Sequence, residues 1–130
     1  MVTYLWIALG GALGSVARFG LSSFIATRVG EGFPWGTLAV NVTGSFVIGV
    51  FAAATGPDGR YLVPADVRQF VAVGLCGGYT TFSSFSLQTL TLAQDGEFLR
   101  AGLNVVLSVV LCLVFVWLGA VAAAAMHARG

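Results

Sequence analysis

The chain has 130 residues, of which 58% are hydrophobic and 8% are charged, and its mean hydropathy is +0.94. Soluble globular domains carry about 25% charged residues, so this composition excludes a soluble enzyme or carrier and predicts an integral membrane protein. Six arginines, five acidic residues and no lysine give a formal net charge of +1, with neither a basic run nor an acidic tail. Nucleic acid is therefore not an expected partner.

Apolar stretches long enough to cross a bilayer occur in four places, since ~20 apolar residues span a hydrocarbon core of ~30 Å. We predict transmembrane helices at about residues 3–27, 36–55, 67–94 and 101–126, within a single all-α membrane domain that covers residues 1–130. The first stretch lacks the basic N-terminal region of a signal peptide, so we interpret it as a membrane helix. Little chain remains outside the membrane for catalysis, and we predict that the protein is not an enzyme.

A single charged residue, Arg18, interrupts the first predicted helix. A guanidinium group at this depth attracts anions toward a vestibule. The alternative is that Arg18 reaches to the membrane surface or pairs with a backbone carbonyl. GxxxG spacing, which allows helix backbones to pack closely, occurs in this helix at Gly10 and Gly14. It recurs in the third predicted helix at Gly74 and Gly78.

The third predicted helix has a poor helical centre. Gly77 and Gly78 cost about 1 kcal/mol each in a helix interior. The hydroxyl residues that follow can bond their own main chain and divert it from the helical ladder. Phe82 and Phe85, three residues apart, share one face of the helix that continues. We therefore predict that this helix is broken in mid-membrane at residues 77–81, where freed backbone groups can form an ion or substrate site.

Neutral polar side chains recur at helical spacing on three of the predicted helices. Each stripe alone fits hydrogen bonding between helices, but three stripes together predict a lined pathway. Proton-coupled transporters need a titrating group in the membrane, and the predicted spans have none at their centres. Hydroxyl and amide donors, with the positive edges of the two phenylalanine rings, suit an anion; lipid-facing bulk is the alternative for the rings. The stripes are Thr37, Asn41 and Ser45; Thr81, Ser84 and Gln88; and Asn104, Ser108 and Cys112.

The arginines near the ends of the predicted helices are almost evenly divided between the two membrane faces. Arg60, Arg68 and Arg129 lie on one side, and Arg28 and Arg100 lie on the other. The positive-inside rule needs a larger imbalance to fix one orientation. This near balance favours a chain that inserts both ways and pairs antiparallel, with a single dominant orientation as the alternative.

The cysteines, Cys76 and Cys112, both lie in apolar stretches of the predicted membrane helices. Thiols in such surroundings behave as small hydrophobic side chains. A disulfide or a metal-binding pair is the alternative reading.

Three ordered motifs resemble the fluoride channels of the Fluc (CrcB) family. They are GGALGSVAR at residues 10–18, GTLAVNVTGSF at residues 36–46 and GLCGGYTTFSSF at residues 74–85. The resemblance implies a multi-pass protein of the plasma membrane (the cell inner membrane) that forms antiparallel, dual-topology homodimers with two pores. It also implies that fluoride leaves the cytoplasm passively through these pores, which reduces fluoride toxicity. The expected partners are fluoride, a second copy of the chain and the lipid bilayer.

The resemblance also assigns residues to the fluoride pathway. Asn41 matches a pore-lining asparagine, and Phe82 and Phe85 match phenylalanines whose ring edges face fluoride. The other residues that we expect to line the pathway are Thr37, which belongs to the polar stripe on the second helix, and Thr81, Ser84, Ser108 and Arg18. In the fourth helix the family often has a tyrosine and two serines, of which only Ser108 is matched here.

The break in the third helix matches a site where main-chain carbonyls of both subunits hold one structural Na⁺ at the dimer centre. By position, the donors here are Gly77 and Thr80. This agrees with the properties of unwound backbone, because carbonyl oxygens suit a hard cation. Two further hypotheses remain beside the channel, namely a coupled transporter or exporter and an assembly subunit without transport of its own.

Overall fold

The computed structural model describes residues 1–57, 59 and 61–129. Arg60 and the side chain of Arg129, both counted above toward membrane orientation, lie outside the described part. All regular elements in the described part are helices: α1 (Val2–Val29), α2 (Trp35–Thr55), α3 (Ala65–Arg68), a π-helical segment (Gln69–Cys76), α4 (Gly77–Tyr79), α5 (Phe82–Gln94) and α6 (Phe98–Arg129).

Helical stretches long and apolar enough to cross a membrane number four in the described part of the chain. They are Val2–Val29, Trp35–Thr55, Ala65–Gln94 and Phe98–Ala128. We refer to them as the first to fourth spans. The prediction of an all-α protein with four membrane-crossing helices is confirmed.

The helix bounds extend beyond those predicted from hydropathy. The fourth span begins at Phe98 instead of residue 101, and the third begins at Ala65 instead of residue 67. Helix starts depend on backbone hydrogen bonds, such as the one from the Ala101 N–H to the Glu97 carbonyl at 2.9 Å. Hydropathy reports only the part of a helix that suits lipid, so it misses these polar first turns.

The first span packs against the first half of the third span through their glycines. A Cβ atom on Gly10 would lie 2.6 Å from the Phe70 carbonyl oxygen and 3.0 Å from the Gly74 Cα. A Cβ atom on Gly78 would lie 2.7 Å from the Gly11 carbonyl oxygen. The GxxxG pairs noted in the sequence therefore face each other within one chain, where the missing side chains let the backbones touch.

A second close helix pair is formed by α2 and α6. A Cβ atom on Gly49 would overlap the Val116 carbonyl oxygen, and one on Gly119 would overlap the Phe46 carbonyl oxygen. Because α5 also packs on α6, the halves of the third span have different main partners: α1 for the first half and α6 for the second. At the junction between the halves, Arg18 and Asn41 form hydrogen bonds with the main chain of the third span.

Candidate functional site

The third span changes conformation at Thr80 and Thr81. Helix α4 ends at Tyr79, and α5 begins at Phe82. Between them, Thr80 has φ −83° and ψ 158°, and Thr81 has φ −150° and ψ 117°. Both residues are therefore extended, and the amide and carbonyl groups around them need partners other than the helical ladder.

Asn41 of α2 supplies these partners for Thr81. The Thr81 N–H donates to Asn41 Oδ1 at 2.7 Å, and Asn41 Nδ2 donates to the Thr81 carbonyl at 3.0 Å. In a continuous α-helix the Thr81 N–H would instead bond the Gly77 carbonyl. The amide of Asn41, expected from the sequence to line a pore, thus also holds the extended main chain in place.

The Thr81 side chain begins α5. Its Oγ1 accepts a hydrogen bond from the Ser84 N–H at 3.1 Å, the usual geometry of a helix N-cap. In a continuous helix the Ser84 N–H would bond the Thr80 carbonyl. Gly77 and Thr80, the residues expected from the sequence to bind a cation, are therefore among the residues whose carbonyls lose their helical donors.

Arg18 lies at the C-terminal end of α4. Its Nε donates to the Gly78 carbonyl at 3.2 Å, and the side chain is half-buried. A positive charge is favourable beside the last carbonyls of a helix. The structure thus shows the pairing with a backbone carbonyl that was one of the alternatives for this residue, while the guanidinium also borders a cavity.

The expected pathway residues border two cavities. Arg18, Thr37 and Ser84 border a larger cavity of about 1030 Å³, which opens between the 30–36 connection and the end of α5. A smaller cavity of about 430 Å³ is bordered by residues from three spans, namely Asn41, Phe82, Phe85 and Ser108, together with Gly77 and Thr80. Thr81 borders both cavities, so it lies between them.

The phenylalanines at the start of α5 stand together beside the smaller cavity. Their ring centroids are 5.3 Å apart, and the ring planes are inclined by 54°. Phe85 is 9% exposed, whereas Phe82 is 77% exposed on the single chain. Both rings therefore border the same cavity, but the Phe85 ring is buried within the chain and the Phe82 ring lies at its surface.

A buried polar network joins α6 to α5. Asn104, 2% exposed, donates from Nδ2 to Thr89 Oγ1 at 2.8 Å. The Thr89 hydroxyl donates to the Phe85 carbonyl at 2.7 Å, and Ser108 donates to Asn104 Oδ1 at 3.4 Å. Thr89 was not singled out from the sequence. A single sequence carries no signal for it, because the partners are 15 positions apart and on different helices.

Both cysteines have free thiols and border the smaller cavity. Cys76 is buried and Cys112 is half-buried. Among the described residues, no group of three or more histidine, cysteine or acidic side chains could hold a metal ion.

A family model described as "CrcB-like protein, Camphor Resistance (CrcB)" matches residues 5–120 of the chain. The chain belongs to the CrcB family. It is 66% identical to a protein of Rhodospirillum rubrum over 122 residues, which cover 94% of this chain and 95% of that protein. It is 64% identical to a protein of Opitutus terrae over 127 residues, which cover 98% of this chain and 96% of that protein.

A third relative, from Methylocella silvestris, is 57% identical over 124 residues, which cover 95% of each protein. All three relatives carry the name "Fluoride-specific ion channel FluC". The resemblance noted in the sequence is thus confirmed, and the chain is a multi-pass protein of the plasma membrane. CrcB relatives are ion channels, which are not enzymes, so the prediction of a non-enzyme is also confirmed.

Proposed function

We propose that this protein is a fluoride-selective channel through which fluoride passes down its gradient. The observation that carries the proposal is the smaller cavity, which has neutral donors and aromatic ring edges on its wall and shares Thr81 with the larger cavity. The names of the CrcB relatives support the choice of ion. Passive flow lets fluoride leave the cytoplasm when its concentration there is higher, and it thereby lowers fluoride toxicity.

Fluoride is strongly hydrated, and moving a bare ion into a low-dielectric interior costs tens of kcal/mol by Born estimates. The path must replace that water with donors, yet hold the ion weakly enough to release it. A carboxamide has two N–H donors, and Thr81 occupies one of those of Asn41. We assign the other to the ion, together with the hydroxyls of Thr81 and Ser84. Ser108 borders the smaller cavity, and its single hydroxyl hydrogen is directed to Asn104 Oδ1.

Ring edges complete the smaller cavity. The hydrogen-bearing edge of a phenyl ring is positively polarised, so Phe82 and Phe85 offer an anion a favourable contact without a fixed charge. A full positive charge at the same place would bind fluoride too tightly for rapid passage.

The larger cavity serves as the entrance. Arg18 and Thr37 border it, and so do Arg100 and three acidic residues, Glu31, Asp95 and Glu97. We assign to the Arg18 guanidinium the local attraction of anions that offsets these acids. Thr81 then connects the entrance with the smaller cavity.

A second copy of the chain completes the pore. Phe82 is 77% exposed on one chain although it borders the smaller cavity, so that cavity lacks a wall on one side. We propose that an antiparallel partner covers it, giving a dual-topology homodimer with a pair of pores, each built from both subunits. The near balance of arginines at the two membrane faces supports insertion in both orientations.

We further propose that the break in the third span lies at mid-membrane and holds a structural Na⁺ at the dimer centre. The residues fit such an ion. The amide hydrogens that would bond the carbonyls of Gly77 and Thr80 in a helix are directed to Asn41 and Thr81 instead. Sodium is a hard cation and takes oxygen ligands of this kind. Bound there, it would neutralise the carbonyl dipoles of two unwound segments.

The test is anion efflux from liposomes that contain the purified chain, followed with a fluoride electrode and repeated with chloride. We expect fast fluoride efflux with no chloride leak. A pH gradient that drove fluoride against its own gradient would favour the coupled transporter. If folded, dimeric protein moved neither ion, the assembly subunit would be favoured and the channel proposal would fail.

A further inference from the structure

A polar contact joins α6 to α5, the helix that carries the phenylalanines. Among the described residues, the hydrogen bond from Asn104 Nδ2 to Thr89 Oγ1, at 2.8 Å, is the single side-chain hydrogen bond between α5 and α6. The same Thr89 hydroxyl donates to the Phe85 carbonyl at 2.7 Å. A continuous chain of hydrogen bonds therefore runs from Asn104 to the main chain of Phe85.

Asn104 itself does not face the proposed path. Neither Asn104 nor Thr89 borders the larger or the smaller cavity, and Asn104 is 2% exposed. Its Nδ2 donates to Thr89, and its Oδ1 accepts from Ser108. An amide that is buried and engaged in this way acts through its hydrogen-bond partners, Thr89 and Ser108. Ser108 borders the smaller cavity itself, and Thr89 is bonded to the main chain of Phe85, which also borders it.

We propose that Asn104 is a positioning residue for selectivity. Through Thr89 it fixes the turn of α5 that carries Phe85, and through Oδ1 it holds the side chain of Ser108. It thereby sets the spacing between the Phe85 ring and the Ser108 hydroxyl across the smaller cavity. This inference rests on the proposed function, because it assumes that an anion passes between these groups.

The physical reason is that apolar contacts between two helices tolerate small sliding, whereas a buried hydrogen bond has a fixed length and direction. Buried polar pairs can therefore specify one arrangement of helices where packing alone would allow several. A site held about 1 Å too loosely loses discrimination even when all its groups are present.

The experiment measures fluoride and chloride efflux from liposomes with the full chain and five variants. Thr89→Val breaks the contact and leaves Asn104 Nδ2 without its acceptor, whereas Asn104→Leu breaks it and also releases the Ser108 hydroxyl. The double variant replaces both members of the contact by apolar groups of similar shape, which proteins tolerate better than one unpaired member. Thr89→Ser keeps the hydroxyl. Thr55→Val is the matched control, since Thr55 makes the same bond to its own helix, to the Phe51 carbonyl at 2.7 Å, and borders neither cavity.

We expect Thr89→Val to lower the ratio of fluoride to chloride efflux roughly tenfold. Asn104→Leu and the double variant should lower it at least as much as Thr89→Val and by the same factor as each other, because both also release Ser108. Thr89→Ser and Thr55→Val should keep the wild-type ratio. A purely structural contact would change the amount of active protein but not its selectivity. The ratio, with rescue by serine, therefore separates the two roles.

Wild-type selectivity in a folded double variant would overturn the proposal. So would an equal loss in Thr55→Val. If single variants fail to fold, the double variant decides. Failure of the channel itself is distinguishable, because wild-type protein would then show no fluoride efflux in the same experiment.

Discussion

Asn41 and Thr81 are joined by paired hydrogen bonds of 2.7 and 3.0 Å between a side-chain amide and a main-chain amide. The pair lets an extended segment exist between α4 and α5, because both polar groups of Thr81 are satisfied by a neighbouring helix. It also brings Asn41 to the smaller cavity. One residue thus stabilises the break and borders the proposed path.

Replacing Asn41 tests both roles. We expect Asn41→Asp to abolish fluoride efflux, because a carboxylate cannot donate to the Thr81 carbonyl and repels an anion. Loss of the paired contact should also destabilise the fold by about 1–3 kcal/mol. Thr43→Val is the control: Thr43 is exposed, borders neither cavity and bonds the Tyr79 hydroxyl at 2.8 Å. Normal fluoride flux in folded Asn41→Asp would remove Asn41 from the path.

Sodium should stabilise the protein. We expect the thermal midpoint in detergent to fall when Na⁺ is replaced by a large organic cation at equal ionic strength. A ligand at about 100 times its Kd contributes about 2.7 kcal/mol. Asn41→Leu should weaken the sodium effect, because the Thr81 N–H is then free to return to the Gly77 carbonyl. Equal thermal midpoints of the wild-type protein in the two salts would contradict the proposed sodium site.

The glycine contact between the first and third spans should be intolerant of a methyl group. In Gly10→Ala the new Cβ would lie 2.6 Å from the Phe70 carbonyl oxygen, so the helices must separate. We expect a loss of about 1–3 kcal/mol. Gly11→Ala is the control, since nothing lies within 4 Å of its Cβ position. Thermal stability in detergent measures both variants, and equal midpoints for the two would show that the contact is not tight.

Arg18 should act mainly through its charge. We expect Arg18→Gln to reduce fluoride efflux roughly tenfold and to weaken its dependence on ionic strength, because electrostatic attraction of anions is lost. Arg18→Lys should retain most of the efflux. Arg28→Gln removes the same charge from the same helix, where the guanidinium lies 4.9 Å from the Phe24 ring centroid, and should have little effect. If Arg18→Lys and Arg18→Gln reduced fluoride efflux equally, the main role of Arg18 would be its hydrogen bond to the Gly78 carbonyl and not its charge.

The long apolar stretches determined much of the fold without any coordinates. Four spans follow from hydropathy, since only lipid accommodates such runs. The weak helical centre around Gly77 and the hydroxyl residues after it led to the prediction of a break at residues 77–81. In the structure residues 77–79 are helical, and Thr80 and Thr81 have extended dihedral angles. Motif order and spacing also identified the family, and residues 5–120 match its model.

Pairing between helices was decided only by the tertiary structure. The sequence identified Asn41 as a polar residue on a stripe, but its contact with Thr81 joins positions 40 apart. Likewise, nothing local marks Thr89 as the partner of Asn104. Hydropathy and periodicity describe one helix at a time, whereas a hydrogen bond between helices depends on their relative height and rotation. Those are set by packing at places such as Gly10 against Gly74, where the absence of side chains fixes how closely the backbones approach.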